Sequence, residues 1–278
     1  MLRYRFETQQ PKFKPVNKAP FNSPEYIGEP KYDGIRAIIE KRGRKIRILS
    51  RYGDDITEHF PQIVEAAKKA LKGNVRVDGE ITAVGRKNKF EKIISVLKSK
   101  KPKKIAVQYH VFDILEIGDK RVYKEPLLEK RKRLLKKKVK PNKIVKLTPY
   151  VLDPTIKDYK KFLKEGYEGI VLKKIDSPYR FGKRTIDWIK VKPAKTIDAR
   201  VVGLKKTPRG KMSFIIKDLK GRSLGLVSSA KLTTEQRKML IDEILHGRKP
   251  RVEIAGEEIT KHHKIRHPRI IRVRIDLK

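Results

Sequence analysis

The sequence predicts an α+β protein in which a domain of antiparallel β-sheets and flanking helices is followed by a small β-barrel. Runs of alternating or mostly apolar residues at 75–84, 105–115 and 169–173 are typical of strands that surround one core. The 278 residues suffice for one large or two ordinary domains. Because the pattern then changes from mixed helices and strands to short strands, we expect domains at 1–195 and 196–278.

The first elements are predicted from turn and cap residues. Residues 37–49 have the pattern of two short strands around Arg42-Gly43, which is typical of a hairpin. A helix is predicted from Pro61 to Lys72, because proline suits the first helical position and Gly73 provides a stop. The apolar residues of this helix keep helical spacing at Ile63, Val64, Ala67 and Leu71.

A second helix is predicted over 125–138, where arginine and lysine dominate. Its leucines would face the core at Leu127, Leu128, Leu134 and Leu135. We expect its charges to form a solvated face, with contact to DNA as the alternative. The lysine-rich segment 98–104 is predicted to be a loop. It could either contact an anionic partner directly or only attract it at long range.

The carboxyl-terminal part is predicted to contain several short strands and one helix, after a connector at 192–195. A capping box formed by Thr233 and Gln236 predicts a helix over 235–246, and Gly247 would end it. Short strands with one helix fit an OB-like barrel, a module that binds nucleic acid. The spacing fits other small barrels as well.

The chain carries a large excess of positive charge, with 72 Lys and Arg against 32 Asp and Glu and a formal net charge of +40. Such a field attracts polyanions, which makes nucleic acid the expected partner. A membrane surface is not expected, because the chain has no 18-residue apolar run and no basic helix with a broad apolar face. Residues 1–15 lack the apolar core of a signal peptide, so we expect a cytoplasmic protein of a prokaryotic or virus-infected cell.

The absence of cysteine excludes disulfides, zinc-thiolate sites and cysteine nucleophiles. His262 and His263 stand beside lysines, and His267 follows an arginine. Because a cationic surround opposes a divalent cation, we expect phosphate contact or a solvated surface there rather than a metal site.

One short segment, Lys31-Tyr32-Asp33-Gly34-Ile35-Arg36, has the residue types that covalent nucleotidyl transfer requires. The amine of Lys31 would attack the α-phosphate of a nucleotide, and Arg36 would hold phosphate or ribose oxygens. The same residues are common in surface turns of a lysine-rich chain. The segment alone therefore does not decide between the two interpretations.

Further charged motifs follow at predicted strand ends. Asp78-Gly79-Glu80 places a carboxylate at a strand, and Glu168 is followed five residues later by Lys173. Lys190 and Lys192 lie two residues apart and therefore on one face of a strand. Their order along the chain is the order that a nucleotidyl-transfer site would require.

These residue types suit attack on a nucleoside triphosphate. Lysines aimed at the phosphate oxygens would neutralise charge, and two carboxylates, Glu80 and Glu168, can hold the divalent cation that such substrates carry. Phe112 offers a flat face for a purine. Each residue has an ordinary structural explanation by itself, such as a core aromatic for Phe112, but their joint occurrence favours nucleotidyl transfer.

Together these motifs resemble those of the ATP-dependent DNA ligases, in the covalent nucleotidyltransferase superfamily, from Glu29 to Asp276. The resemblance implies a nucleotidyltransferase (adenylation) domain followed by an OB-fold domain. It makes Lys31 the residue that becomes adenylated and Glu168 a metal ligand, with Glu80 touching ribose or metal. The residues that it implies in binding ATP or AMP are Glu29, Arg36, Arg51, Glu80, Phe112, Lys173, Arg184, Lys190, Lys192, Arg274 and Asp276.

The resemblance also implies individual roles. Glu29 would lie beside the adenine, and Phe112 would stack on it. Arg51, within Ser50-Arg51-Tyr52-Gly53, would contact ribose and phosphate, while Arg184 would contact the adenylate or the nick. Lys190 and Lys192 would contact the α-phosphate.

Residues 266–276 are similar to the final ligase motif, which in the family orients the β and γ phosphates of ATP. The usual Arg-x-Asp-Lys occurs here as Arg274-Ile275-Asp276-Leu277-Lys278, with the lysine displaced by one, which leaves the role of Lys278 open. We expect no separate amino-terminal DNA-binding domain and no long insertion that could latch around a duplex.

The implied reaction uses ATP as the AMP donor and Mg²⁺ or Mn²⁺, and it seals nicked double-stranded DNA in three steps. A monomer would suffice, because one chain carries every motif. An RNA ligase or a GTP-dependent capping enzyme is the alternative within the superfamily. A non-catalytic, basic nucleic-acid-binding module is the alternative from another class.

Overall fold

The computed structural model describes residues 7–85, 89–99, 105–193, 195–206, 212–228, 232–256, 258–259, 265–266 and 268–274. The chain forms two compact units, Met1–Pro193 and Ala194–Lys278. Within the described ranges, no helix is both long and apolar enough to cross a membrane.

The amino-terminal unit mixes strands with short helices. Its strands are β1 (Gln10–Phe13), β2 (Tyr26–Lys31), β3 (Ile35–Arg42), β4 (Lys45–Ser50), β5 (Val75–Ala83), β6 (Val107–Ile117), β7 (Val145–Leu147), β8 (Val151–Leu152), β9 (Gly169–Lys174) and β10 (Arg184–Val191). Its helices are α1 (Pro61–Ala70), α2 (Lys89–Leu97), α3 (Leu128–Lys138) and α4 (Ile156–Lys164). The predicted hairpin, the first predicted helix and the three predicted strands are all present, whereas α2 and α4 were not predicted.

Two sheets organise this unit. The strand order is β1-β10-β9-β2-β8 in the first sheet and β4-β3-β5-β6-β7 in the second. Most neighbours are antiparallel, which confirms the predicted fold class; β1 with β10 and β6 with β7 are parallel pairs at sheet edges.

Each sheet has its own apolar core, and a third cluster joins the two sheets. The second sheet packs against α1 and α2, with Ile63 and Ile93 fully buried among its valines and isoleucines. The first sheet packs against α4 through Tyr159 and Phe162. The joining cluster combines residues of both sheets and of the segment before β10, namely Ile38, Leu49, Phe112, Leu115, Tyr179 and Trp188. Burial of these large aromatic side chains fixes the separation of the sheets.

Helix α3 packs against β6 through cations as well as leucines. Leu128 and Leu135 are buried, as predicted, but Arg131 and Lys132 are buried too. The prediction of a solvated charged face is therefore wrong for these two cations, whereas the other lysines and arginines of the helix are exposed or half-buried. Arg131 donates to both carboxylate oxygens of Asp113 at 3.1 and 3.4 Å, and both side chains are fully buried. Removing one partner of such a pair typically costs about 3–5 kcal/mol, so the pair anchors the helix.

Two glycines allow backbones to approach closely near Lys31. A Cβ atom on Gly34 would lie 2.1 Å from the carbonyl oxygen of Ile81 in β5. A Cβ atom on Gly169 would lie 2.1 Å from the carbonyl oxygen of Val191, and its φ of +156° also favours glycine. Any larger residue would therefore displace a strand at either position.

The carboxyl-terminal unit is mostly strands with one described helix. Its elements are β11 (Lys195–Lys206), β12 (Met212–Asp218), β13 (Ser223–Ser228), α5 (Thr234–Leu245), β14 (Arg251–Gly256), β15 (Glu258–Ile259), β16 (Ile265–Arg266) and β17 (Arg269–Arg274). The strands β11-β12-β13-β17-β14 close into a barrel, which confirms the predicted small barrel. The predicted capping box is present, because Thr233 and Gln236 each accept a backbone N–H of the other.

Part of the final predicted motif lies outside the described residues, including Asp276 and Lys278. The same is true of His262, His263 and His267. Arg274 ends β17, and its position is described by its backbone alone.

Candidate active site

The register of three strands places the predicted lysines on one face of the first sheet. Lys31 in β2 pairs with Gly169 in β9, and Glu29 pairs with Val171. Val171 pairs in turn with Lys190 in β10. Paired residues lie on the same face, as do residues two apart along a strand. The residues that share this face are Glu29, Lys31, Lys173, Trp188, Lys190 and Lys192.

Glu168 joins two of these lysines. Its Oε2 contacts Nζ of Lys31, and its Oε1 accepts a hydrogen bond from Nζ of Lys192 at 3.0 Å. The backbone N–H of Glu168 also donates to the carbonyl oxygen of Lys31 at 2.9 Å. Burial alone would raise the pKa of Glu168, but the charges of Lys31 and Lys192 lower it. The amine of Lys31 is thus held in place by an ionised carboxylate.

Glu29 is also held between two lysines. Its Oε1 contacts Nζ of Lys132 from α3, and its Oε2 lies 2.9 Å from Nζ of Lys173. Lys173 is 1% exposed, and burial lowers its pKa to about 8, an effect that Glu29 opposes. Nζ of Lys173 lies 4.3 Å from the ring centroid of Phe112 and 3.9 Å from that of Trp188. Carboxylate and aromatic faces therefore line the same space.

Arg36 is fixed by a hydrogen-bonded chain of buried groups. Its Nε and one terminal nitrogen donate to the two carboxylate oxygens of Asp78 at 2.6 and 2.7 Å. The hydroxyl of Tyr179 donates to the same carboxylate at 2.6 Å and accepts the backbone N–H of Gln9 at 3.1 Å. The guanidinium carbon of Arg36 lies 4.4 Å from the ring centroid of Phe112. Arg36 is thus set against the aromatic face by bidentate pairing.

Glu80 lies opposite Arg36 in the β3–β5 pairing. Burial raises the pKa of Glu80 to about 7, with opposing effects of Lys31 and Arg36 and reinforcing effects of Glu168 and Asp78. The negative charge of Glu168 therefore contributes to the raised pKa of Glu80, and the charge of Lys31 opposes it. Within the described part of the chain, no group of three or more His, Cys, Asp and Glu side chains could hold a metal ion.

A single cleft contains much of the predicted site. Its lining includes the predicted residues Glu29, Lys31, Arg36, Glu80, Phe112 and Lys173. Glu168 and Lys192 join this set through their contacts with Lys31 and with each other. The cleft combines an amine, several cations, acidic oxygens and an aromatic face, which together suit a nucleotide.

Two of the predicted residues, Arg51 and Arg184, are not among the described residues that line this cleft. Arg51 follows β4, and its buried Nε has no hydrogen-bond partner among the described residues. Arg184 is exposed at the start of β10, where it donates to Oε1 of Gln10 at 2.5 Å. Arg274 and Asp276 belong to the carboxyl-terminal unit.

The structure adds residues that the sequence analysis did not assign. Lys132 contacts Glu29. Arg36 is held by Asp78, which in turn accepts a hydrogen bond from Tyr179. Trp188 packs edge-on against Phe112, with ring centroids 6.1 Å apart. Lys132 could have been noticed, because it lies four residues after Leu128 and three before Leu135, on the apolar side of the helix. Tyr179 lies in an irregular segment, where no periodicity indicates burial.

Comparison with known proteins gives a consistent assignment. The family described as the ATP dependent DNA ligase domain matches residues 11–192. A DNA ligase of Archaeoglobus fulgidus is 35% identical over 185 residues, which cover 62% of this chain and 33% of that protein. DNA ligase 2 of Methanosarcina mazei is 32% identical over 293 residues, which cover 88% of this chain and 51% of that protein. The chain thus spans about half or less of the length of these relatives.

Solved structures share the fold over nearly the whole chain. A mycobacterial DNA ligase D complexed with ATP and MES has a TM-score of 0.60 and 19% identity, covering 100% of this chain and 98% of that one. A structure from an analysis of Lig E DNA ligases, described as DNA binding with a minimal scaffold, has a TM-score of 0.66 and 22% identity, covering 96% and 98%. At these identities the likeness is one of fold.

Proposed function

The chain belongs to the ATP-dependent DNA ligase family, and from this premise we propose that it seals nicks between a 5′-phosphate and a 3′-hydroxyl in duplex DNA through a lysyl-AMP intermediate. The observation that carries the proposal is the position of Lys31, whose amine contacts Glu168 and lines a cleft with Phe112. The proposed nucleophile shares its cleft with two cations, Arg36 and Lys173, and with an aromatic face that suits a base.

In the first step, the neutral amine of Lys31 attacks the α-phosphorus of ATP. Lys31 loses its ammonium proton to water before the attack. A nitrogen–phosphorus bond then forms, the bond to the bridging oxygen breaks, pyrophosphate leaves with the bonding electrons, and the nitrogen releases a second proton to water. The contact with Glu168 orients the amine, while Lys192 and Lys190 supply positive charge where the phosphate oxygens become more negative. Arg274 and Asp276 would orient the β and γ phosphates for departure.

Mg²⁺ or Mn²⁺ belongs to the proposal, and Glu80 and Glu168 would hold it. Their carboxylates suit such a cation, because the charge of Glu168 contributes to the raised pKa of Glu80 and a cation would relieve that repulsion. One or two carboxylates with substrate phosphates and water are the usual ligands of Mg²⁺. The bound cation would neutralise phosphate charge.

The remaining residues would grip the nucleoside. Glu29 would accept a hydrogen bond from the base, and Phe112 would stack on it. Arg36, Arg51, Lys173 and Arg184 would contact ribose, phosphate or the nick. The unpartnered, buried Nε of Arg51 supports a contact with a ligand oxygen.

The later steps need DNA. AMP would pass from Lys31 to the 5′-phosphate of the nick, and the 3′-hydroxyl would then displace AMP to join the strand. The formal net charge of +40 supports a polyanionic substrate. A monomer suffices for this proposal, because one chain supplies each proposed residue.

Incubation with α-labelled ATP and Mg²⁺, followed by a denaturing gel, tests the first step. We expect a covalent label on the wild-type protein and none on Lys31→Ala, while Lys161→Ala, which removes an exposed lysine of α4, keeps the label. A label that survives Lys31→Ala would contradict the assignment of the nucleophile. Sealing of nicked DNA, compared with nicked RNA and with GTP as donor, tests substrate and nucleotide.

A further inference from the structure

Lys132 is a buried cation that contacts two residues lining the cleft, Glu29 and Phe112. Its side chain is 6% exposed, although most of its neighbours along α3 are solvated lysines and arginines. Nζ of Lys132 contacts Oε1 of Glu29 and donates to the backbone carbonyl oxygen of Phe112 at 2.7 Å. It also lies 5.4 Å from the ring centroid of Tyr150. One ammonium group thus connects the side chain of Glu29 to the backbone of Phe112.

Glu29 keeps capacity to bind a ligand in spite of its two lysine partners. The residue lines the cleft and is 2% exposed. An ionised carboxylate is an acceptor only and has about four lone-pair positions. Lys132 occupies one lone-pair position on Oε1, and Lys173 occupies one on Oε2. Each oxygen can therefore accept a further hydrogen bond.

The position of Glu29 relative to Lys31 indicates which part of a nucleotide it meets. The two residues lie on the same face of β2 and are separated by about 7 Å along the strand. A nucleotide whose α-phosphorus meets Lys31 and whose base lies against Phe112 presents the edge of the base to Glu29. The partners of Glu29 therefore influence which base edge the cleft accepts.

We propose that Lys132 is a specificity-determining positioning residue, which holds the carboxylate of Glu29 in place as an acceptor beside Phe112 so that the cleft prefers a 6-aminopurine nucleotide to a 6-oxopurine nucleotide. The inference rests on the proposed function in one respect: it takes Lys31 as the phosphate end of the cleft. It assigns Lys132 no contact with the substrate.

The chemistry of the two base edges gives the reason. A 6-amino group donates an N–H to the carboxylate, whereas a 6-oxo group in the same position presents a second acceptor and cannot form that hydrogen bond. Without Lys132, Oε1 of Glu29 loses the contact that fixes it at the cleft wall, so the carboxylate can turn away from the position in which it meets a 6-amino group. Loss of Lys132 also removes the hydrogen bond to the carbonyl oxygen of Phe112. The distance between the Phe112 ring and the Glu29 carboxylate is then no longer fixed.

Equilibrium binding of AMP and IMP tests this inference, because the two nucleotides differ in the 6-amino and 6-oxo groups and neither requires a reaction. Trp188 is the only tryptophan of the chain and lines the cleft, so its fluorescence reports binding. We expect the wild-type protein to prefer AMP, and Lys132→Met to lower the AMP-to-IMP affinity ratio by about 10-fold or more. Lys132→Arg, which keeps the charge, is expected to keep most of the preference.

Two further variants make the test specific. Lys136→Met, which removes an exposed lysine from the same helix, is expected to leave both affinities unchanged. Lys132→Gln removes the charge but can still donate to the Phe112 carbonyl, so it tests the charge even if the methionine variant does not fold. Thermal unfolding of each variant verifies that the folded protein is compared.

The outcomes separate this inference from the proposed function. If the Met and Gln variants lose affinity for AMP and IMP by the same factor, or if the preference for AMP is unchanged, Lys132 does not set specificity and the inference is wrong. Absence of a covalent label on Lys31 with an AMP preference that depends on Lys132 would overturn the ligase proposal and leave this inference standing.

Discussion

Lys31 and Glu168 are joined twice, once through their side chains and once through their backbones. Oε2 of Glu168 contacts Nζ of Lys31, and the N–H of Glu168 donates to the carbonyl oxygen of Lys31 at 2.9 Å. The backbone bond fixes the start of β9 beside the end of β2, so the carboxylate cannot move away without disturbing the strand pairing. The position of the Lys31 amine therefore depends on residue 168.

Replacing Glu168 by glutamine is expected to slow adenylation of Lys31 by on the order of 100-fold. The amide cannot pair with two ammonium groups or serve as an anionic ligand for Mg²⁺. Single-turnover labelling with saturating ATP measures the rate. Glu165→Gln, which removes an exposed carboxylate three residues earlier, is the matched control, and an equal loss in both variants would point to the general charge of this turn instead.

Adenylation should depend on pH through Glu80. Burial raises the pKa of this carboxyl group to about 7, so that it is mostly protonated below pH 7 and ionised above it. Because holding ribose or a cation requires the ionised form, we expect kcat/KM for adenylation to rise with pH through about 7 and then level off. Glu80→Gln should lower kcat/KM and remove this inflection. The same inflection in the variant would assign it to another group.

The hydroxyl of Tyr179 is expected to stabilise the unit that contains Arg36. Tyr179→Phe removes the hydrogen bond to Asp78 and leaves the buried N–H of Gln9 without its partner. We expect the free energy of unfolding to fall by about 1–3 kcal/mol, measured by urea denaturation. Tyr123→Phe, in the adjoining aromatic cluster, should change it by less than about 0.5 kcal/mol. A similar loss in both variants would mean that the buried hydrogen bonds of the Tyr179 hydroxyl add no particular stability.

Binding to a nicked duplex is expected to weaken steeply with salt. The net charge of +40 favours many phosphate contacts, and each releases counterions, so that log affinity falls by about 0.9 per log unit of salt for each contact. Fluorescence anisotropy with a labelled nicked duplex over a salt series gives the slope. An affinity that stays constant from low to several hundred millimolar salt would contradict a mainly electrostatic grip.

Spacing along strands made the central part of the site predictable. Lys190 and Lys192 could be placed on one face because they are two residues apart, and Lys31 was found from its motif. The pairing of β2, β9 and β10 brings the three lysines to the same face. Carboxylate motifs at strand ends similarly led to Glu80 and Glu168. The metal, nucleotide and DNA roles of these residues remain predictions.

The partners of these residues were less predictable, because pairing between distant segments leaves little trace in local sequence. Lys132 reaches Glu29 across 103 positions of the chain, and a basic helix is ordinarily solvated. Helix α4 was missed although Thr155 and Asp158 form a capping box there, since its lysines hide the apolar pair Tyr159 and Phe162. The local sequence does not reveal that a charged side chain is buried, because the strand that covers it comes from a distant part of the chain.

The close approach of Gly34 to Ile81 separates two kinds of constraint within one six-residue motif. Glycine is required there by the crossing of two main chains, whatever the chemistry nearby. A descendant of this gene that lost catalysis would still be selected to keep Gly34 for as long as it folded, whereas nothing in the crossing would preserve the amine of Lys31. Retention of the glycine among relatives would thus trace inheritance of the scaffold, and joint retention of Lys31 and Glu168 would trace inheritance of the reaction.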